Sequence, residues 1–186
     1  MNCAQFLISL VDAYGGVVQG RTMLQKLGFF ASRLSGIEPG LGYDAHYYGP
    51  YSSVLDGTVA QLKNLGFLKE DDNAFGLISD GFEMRRYDYA LTAEGKQVAE
   101  KLRSSEEYAK VRESIEKIKS GGAPTYIELS IAAKAYFILS QQPRKMSAEE
   151  ILQEATKFNW KIESSSLKRA VQFLENVNLV TSAEKG

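Results

Sequence analysis

The sequence predicts an α+β fold dominated by helix. Three observations lead there. Three amphipathic segments, each bounded by Gly or Ser, fill residues 5–66. Between Phe67 and Leu91 the apolar residues change to a period of two, the mark of strands. Helical spacing then returns for the rest of the chain. Three helices followed by a β-ribbon is the order of a winged helix-turn-helix, a variant of the helix-turn-helix motif. The expected organisation is a winged-helix module over residues 1–91, a long linker helix over 92–120, and a small helix-turn-helix-like helical module over 125–186.

The first helix is expected from Gln5 to Tyr14, with Phe6, Leu7, Leu10 and Val11 on one side and Gly15-Gly16 stopping it. Val17-Val18-Gln19 reads as a short strand. Thr22 is placed to cap a second helix whose stripe is Met23, Leu24, Leu27, Phe30, Ala31 and Leu34. Tyr43 to Tyr48 reads as extended, and Gly49-Pro50 makes a turn. Ser52 or Ser53 caps a third helix with Leu55, Val59, Leu62 and Leu65 inward. A strand over Phe67–Glu70, a turn at Asp71-Asp72-Asn73, a strand from Phe75 to Ser79, a hairpin at Asp80-Gly81 and a strand from Arg86 to Leu91 complete the ribbon.

Thr92 caps the linker helix, expected to reach Ser120. Its stripe of Val98, Leu102, Tyr108, Val111, Ile115 and Ile118 is either a dimer seam or a face packed on its own chain. Ser120-Gly121-Gly122-Ala123-Pro124 is the clearest boundary. Beyond it a helix is expected from Tyr126 to Gln142, with Ile127, Ile131, Ala135 and Ile138 inward. Ser147-Ala148-Glu149-Glu150 is a capping box opening the next helix, and Ser164 or Ser165 caps the last. Gln61 to Leu68 and Gln172 to Val180 form a degenerate repeat, so Asn178-Leu179-Val180 is expected to start a strand.

Composition narrows the function classes. Lys and Arg number 22 against 23 Asp and Glu, for a net charge of −1, which excludes a strongly basic nucleic-acid coat protein. The first 90 residues are net acidic and the remainder net basic. One Cys excludes a disulfide framework or multi-cysteine zinc site, and one His excludes a polyhistidine metal site. With neither an apolar span nor a signal segment in the sequence, the expectation is a soluble, cytoplasmic protein without membrane association.

Two motifs carry a resemblance. Gly20-Arg21-Thr22-Met23-Leu24-Gln25-Lys26-Leu27, together with Tyr47-Tyr48-Gly49-Pro50-Tyr51-Ser52 and Leu65-Gly66-Phe67, resembles the YwgA-like proteins of bacteria and archaea. Leu91-Thr92-Ala93-Glu94-Gly95 looks like the wing-to-helix junction of winged-helix regulators. The resemblance spans roughly residues 5–100 and implies a winged-helix-like fold but little about activity. A looser similarity reaches the Panacea antitoxin domain, whose members neutralise toxins and which shares a "LQKL" helix and a "YGP" turn. This chain departs from that pattern after Gly49-Pro50.

Four sets of residues bear on function. Helix 164–177 turns Ser165, Lys168, Arg169 and Gln172 outward: Arg and Lys for guanine or phosphate, Gln for adenine, Ser for backbone. The same face also reads as an ordinary solvated surface. Helix 52–65 would show Ser53, Asp56, Gly57, Ala60, Lys63 and Asn64. One cation against one anion is poor equipment for DNA, and the acidic ribbon beside it repels phosphate. Tyr47, Tyr48 and Tyr51, with Tyr43, form a partner-binding or stacking platform, or else a core edge. His46 and Cys3 read as structural, since no nucleophile–base pair, metal set or phosphate loop accompanies them. The reading is a non-enzymatic, DNA-associated, transcription-regulator-like protein. It would act as a homodimer on double-stranded DNA, without cofactor or metal. The alternative is a protein-interaction module, an antitoxin-like neutraliser or adaptor, with a protein partner and no DNA.

Overall fold

The computed structural model describes residues 1–77, 83–122 and 125–181. Among them, α1 (Cys3–Tyr14), β1 (Val17–Gln19), α2 (Arg21–Ser35), α3 (Ser53–Asn64), β2 (Leu68–Leu77) and β3 (Glu83–Leu91) come first. There follow α4 (Ala93–Leu102), α5 (Glu106–Ser120), α6 (Tyr126–Ser140), α7 (Ala148–Lys157) and α8 (Ser164–Asn176). The chain is α+β and mostly helical, with one antiparallel sheet in the order β1-β3-β2.

Helix α1 begins two residues earlier than expected because Asn2 and Gln5 form a reciprocal capping box. Phe6, Leu7, Leu10 and Val11 bury its length, and it packs against α3, α4 and α5. Helix α2 packs on α5 and α6, and α6 on α8, so one apolar cluster runs from Phe6 to Val177. In the sheet Val18 faces Tyr89 and Leu68 faces Leu91, which places the alternating apolar residues on the α1 side.

Several expectations need correction. The segment 92–120 is two helices rather than one. Ser105 accepts from the Tyr108 N–H and starts α5, while Arg103 turns aside to hold Asp12 on α1 with two 2.9 Å hydrogen bonds. Tyr108, Val111, Ile115 and Ile118 are buried, and α5 packs on α1 and α2, so this stripe is covered by its own chain. Asp71-Asp72-Asn73 is mid-strand and not a turn. Asp71 pairs with Asp88, whose carboxylate accepts from Asn73 at 2.9 Å and from Arg86 at 2.8 and 2.9 Å. Those bonds across and along the strand pair satisfy the acid without a bend. Of the expected strand 75–79, residues 75–77 belong to β2; Ile78, Ser79 and the Asp80-Gly81 hairpin lie outside the described residues.

Cap residues differ too. Gly20, not Thr22, precedes α2, and Glu163, not a serine, precedes α8; neither N-terminus has a capping side chain. Ser52, Thr92 and Ser147 cap as expected from their side chains, and Thr125, for which no cap was expected, forms a capping box with Glu128. Leu65 and Ile127, placed inward by periodicity, are exposed. Asn178 adopts φ 61° and the described residues after it, 179–181, form no strand, although Gly66 at φ 77° does lead into β2. The repeat therefore preserves the left-handed exit from the helix and loses the strand. Gly121 ends α5 where a Cβ would lie 2.7 Å from Val177 and 2.8 Å from the Phe173 ring, so the glycine lets α5 close against α8.

Candidate functional site

Ser165, Lys168, Arg169 and Gln172 all lie on the exposed side of α8, opposite buried Leu167, Ala170, Phe173 and Leu174. Arg169 donates to the Ser166 hydroxyl at 3.3 Å and stands 3.8 Å from Glu128 at the start of α6. Gln172 donates to Asn176 at 3.0 Å. Of four further basic residues in this part of the chain, Arg144 is paired with Glu150 and Lys157 with Glu154, each at 2.6 Å, while Lys145 and Lys161 are exposed. On α3, Lys63 is paired with Glu70, and Asp56 stands 3.7 Å from Arg21. Its outward surface is left to Ser53, Val54, Gly57, Ala60, Gln61 and Asn64, all uncharged.

The tyrosines divide. Tyr43 points into the core, where its hydroxyl donates to the Gln25 carbonyl at 3.2 Å and its ring meets Phe29 edge-on at 5.1 Å. Burial pushes its phenol far up. Tyr47 and Tyr48 are 69% and 61% exposed, with their rings T-shaped at 4.9 Å. Tyr51 is half-buried against His46 at 5.1 Å. The segment is a hairpin, not an extended strand: Asp44 and Tyr51 exchange backbone hydrogen bonds of 3.0 and 2.9 Å, and Gly49 N–H donates to His46. Gly49 takes φ 98°, and a Cβ there would sit 3.0 Å from the Lys134 stem.

This hairpin is held from both halves of the chain. Gln25 brackets the backbone of Ser52, donating to its carbonyl at 3.0 Å and accepting from its N–H at 2.9 Å. Lys26 Nζ donates to the Pro50 carbonyl at 2.6 Å. Ser130 on α6 donates to the Tyr48 carbonyl, and Trp160 Nε1 to the His46 carbonyl, both at 2.7 Å. Lys26 is 2% exposed. Burial, reinforced by the like charge of Lys134, lowers its amine to about 7. Lys134 is half-buried, lowered by burial, and lies 5.8 Å from the Trp160 ring. Beside the hairpin is a cleft of about 370 Å³ lined by Arg21, Thr22, Lys26, His46, Tyr48 and Tyr51, among others.

Local reading missed Lys26, Ser130, Lys134 and Trp160. A signal existed for the two lysines: Lys26 falls at helical steps from Met23 and Phe30, and Lys134 at the same steps from Ile131 and Ile138. Cys3 is half-buried and accepts from Thr58 at 3.1 Å; burial raises its thiol. No metal-binding group of His, Cys, Asp or Glu occurs among the described residues, and no described helix is long and apolar enough to cross a membrane.

The two motifs that carried the resemblance thus meet in space, Gln25 and Lys26 of the first holding Ser52 and Pro50 of the second. Comparison with known proteins agrees with that resemblance. A protein of Bacillus subtilis (strain 168), described as "Uncharacterized protein YwgA", is 38% identical over 80 residues. Over that stretch the chain is similar to YwgA. The match spans 43% of this chain and 44% of the relative, less than half of either. No protein-family model matches the chain. The YwgA-like relationship brings no activity with it, so function has to be argued from the side chains.

Proposed function

We propose that the chain is a non-enzymatic, double-stranded-DNA-associated regulator that contacts DNA through α8. The observation that carries this is the exposed stripe Ser165, Lys168, Arg169 and Gln172 on the third helix of the α6–α8 unit. A third helix with its N-terminal residues outward is what a helix-turn-helix lays in the major groove. The uncapped N-terminus of α8 leaves its first-turn amides available to phosphate. The order α1-β1-α2-α3-β2-β3 with sheet order β1-β3-β2 supports a winged-helix reading of the first half. On that reading α3 is a support and not a reader, because its own charges are already paired. Dimerisation on DNA would use a surface other than the α5 stripe.

The test is fluorescence anisotropy on random-sequence duplex between about 50 and 200 mM salt, where each phosphate contact contributes about 0.9 to the log–log slope. Replacing Lys168 and Arg169 by Glu is expected to reduce that slope by about 2. Unchanged affinity in this double variant would remove α8 as the contact surface.

A second reading is favoured by one observation: Tyr47 and Tyr48 stand exposed on a hairpin held in place by five hydrogen bonds from Gln25, Lys26, Ser130 and Trp160 and three within the hairpin itself. Rigidly presented tyrosines are the usual anchors of protein interfaces. A protein partner captured by the native chain and lost on replacing Tyr47 and Tyr48 by Ser would favour it.

A further inference from the structure

Lys26 is an unusual residue for the place it occupies. A buried ammonium normally faces a carboxylate, because a charge removed from water is costly unless paired. Among the described residues Lys26 has no acidic partner: its amine donates to one carbonyl, that of Pro50, and its charged neighbour is another lysine, Lys134. An ammonium has three donors, so one neutral acceptor leaves capacity for an anion.

The residues that line the adjoining cleft include no acid; the nearest carboxylate to its cations is that of Asp56, 3.7 Å from Arg21. The cleft that Lys26 lines opens at the first turn of the 15-residue α2, with Arg21 and Thr22 beside it. That helix has neither a capping side chain nor an acidic residue in its first turn. Its first amides and the positive end of its dipole are therefore offered to the cleft unneutralised. His46, Tyr48 and Tyr51 line the cleft as well, and the rings of Tyr51 and His46 lie at a shallow 34° to each other. The volume, about 370 Å³, falls within the range of small-ligand sites.

We propose that this cleft binds a small organic oxyanion carrying a flat ring. The anionic group lies against Lys26, Arg21 and the first-turn amides of α2, and the ring lies against Tyr48 and Tyr51. The site is separate from the α8 surface and does not depend on its role. It uses no chemistry beyond charge and stacking: the anion supplies the counter-charge that the fold withholds from Lys26. Arg21 retains its hydrogen bond to the Tyr89 hydroxyl at 3.3 Å, which orients its guanidinium from behind.

The experiment is a titration of the full chain at pH 6.5 with phenyl phosphate, and separately with inorganic phosphate, followed by the backbone amide NMR signals. Phenyl phosphate is expected to shift the amides of Arg21, Thr22 and Met23 and those of the 48–51 hairpin. It should bind about tenfold more tightly than inorganic phosphate if the rings contribute a stacking contact. Lys26→Met should weaken it by about tenfold or more, the loss expected when a charge-assisted hydrogen bond is removed. Absence of shifts at the α2 start with millimolar ligand, or affinity within about twofold in Lys26→Met, overturns the proposal. If Lys26→Met does not fold, Arg21→Met decides. That side chain is half exposed, and unchanged affinity there overturns the proposal equally. Duplex DNA is the remaining arm: if it shifts these amides and phenyl phosphate does not, the small-anion assignment is wrong.

Discussion

Replacing Lys26 by Met should make the protein more stable at neutral pH and less stable at high pH. Burial lowers the Lys26 amine from an ordinary 10.5 to about 7. At about 1.4 kcal/mol per pH unit, holding it in the fold at pH 7 or below costs roughly 4–5 kcal/mol relative to an unperturbed lysine. In the other direction, Met leaves the Pro50 carbonyl without its 2.6 Å donor. An unsatisfied buried acceptor costs about 1–3 kcal/mol. Met fills nearly the same volume as the lysine stem, so packing changes little. The net is a gain of about 2 kcal/mol at pH 7.

The sign then reverses with pH. For a lysine whose folded value is depressed, the unfolded chain binds more protons between about 7 and 10.5. Wild-type stability therefore rises across that window, and the penalty is present in full below it. The two stability curves should cross near about pH 9, where the remaining lysine penalty equals the cost at Pro50. Urea denaturation read by far-UV circular dichroism at pH 7, 8, 9 and 9.5 measures this. The series stops there because Tyr89, raised by burial to about 12, and Tyr43 keep their phenols neutral in the fold, which adds a loss of stability above about pH 10. A Lys26→Met protein less stable by the same amount at pH 7 and pH 9.5 would refute the reasoning, since the amine would then be charged in the fold at no cost.

Two further perturbations test how the halves of the chain are joined. Trp160 is the only tryptophan, is buried, and stacks on Phe158 at 4.7 Å while bonding His46. Trp160→Phe should cost about 1 kcal/mol in urea denaturation, the loss of one hydrogen bond from a His46 carbonyl that keeps the Gly49 N–H, and should broaden the amide signals of Tyr47 and Tyr48. Hydrogen bonds from Arg103 hold the Asp12 carboxyl below its usual value against the upward pull of burial, with Tyr108 adding a 2.6 Å bond. Because a depressed carboxylate contributes stability above its unfolded value and loses it as pH falls, Asp12→Asn should destabilise by about 1–2 kcal/mol at pH 7. The difference should shrink below about pH 4, as measured by thermal denaturation.

Much of the fold was legible because its causes are local. The capping box at Ser147, the cap at Ser52 and the stripe of α1 each involve residues within one or two turns of one another or along a single helix. Local reasoning failed where the partner was distant. Asp71-Asp72-Asn73 has turn composition, and only Asp88 on the neighbouring strand makes it straight. The stripe of the 92–120 segment breaks at Ser105, but what the break serves is distant, since Arg103 there holds Asp12, 91 residues away. Thr22 and Ser164 have the right chemistry for caps, but the chain enters each helix through another residue.

The candidate site shows the same division more sharply. Read alone, Leu24-Gln25-Lys26-Leu27 is part of an amphipathic helix with an awkward lysine, and Tyr48-Gly49-Pro50 is a turn with proline setting φ. Neither reading explains Lys26. In the structure Gln25 and Lys26 supply the hydrogen bonds for Ser52 and Pro50, and Gly49 lies where a Cβ would be 3.0 Å from Lys134 and 3.5 Å from Lys26. Gln25, Ser130 and Trp160 already hold the hairpin with uncharged donors, Gln25 with a bond to each side of the Ser52 backbone. Any uncharged donor would serve Pro50 without the cost of burying an amine. That a lysine stands there, beside a second lysine and an uncapped helix start, is the part of the arrangement that stability does not explain and a bound anion would.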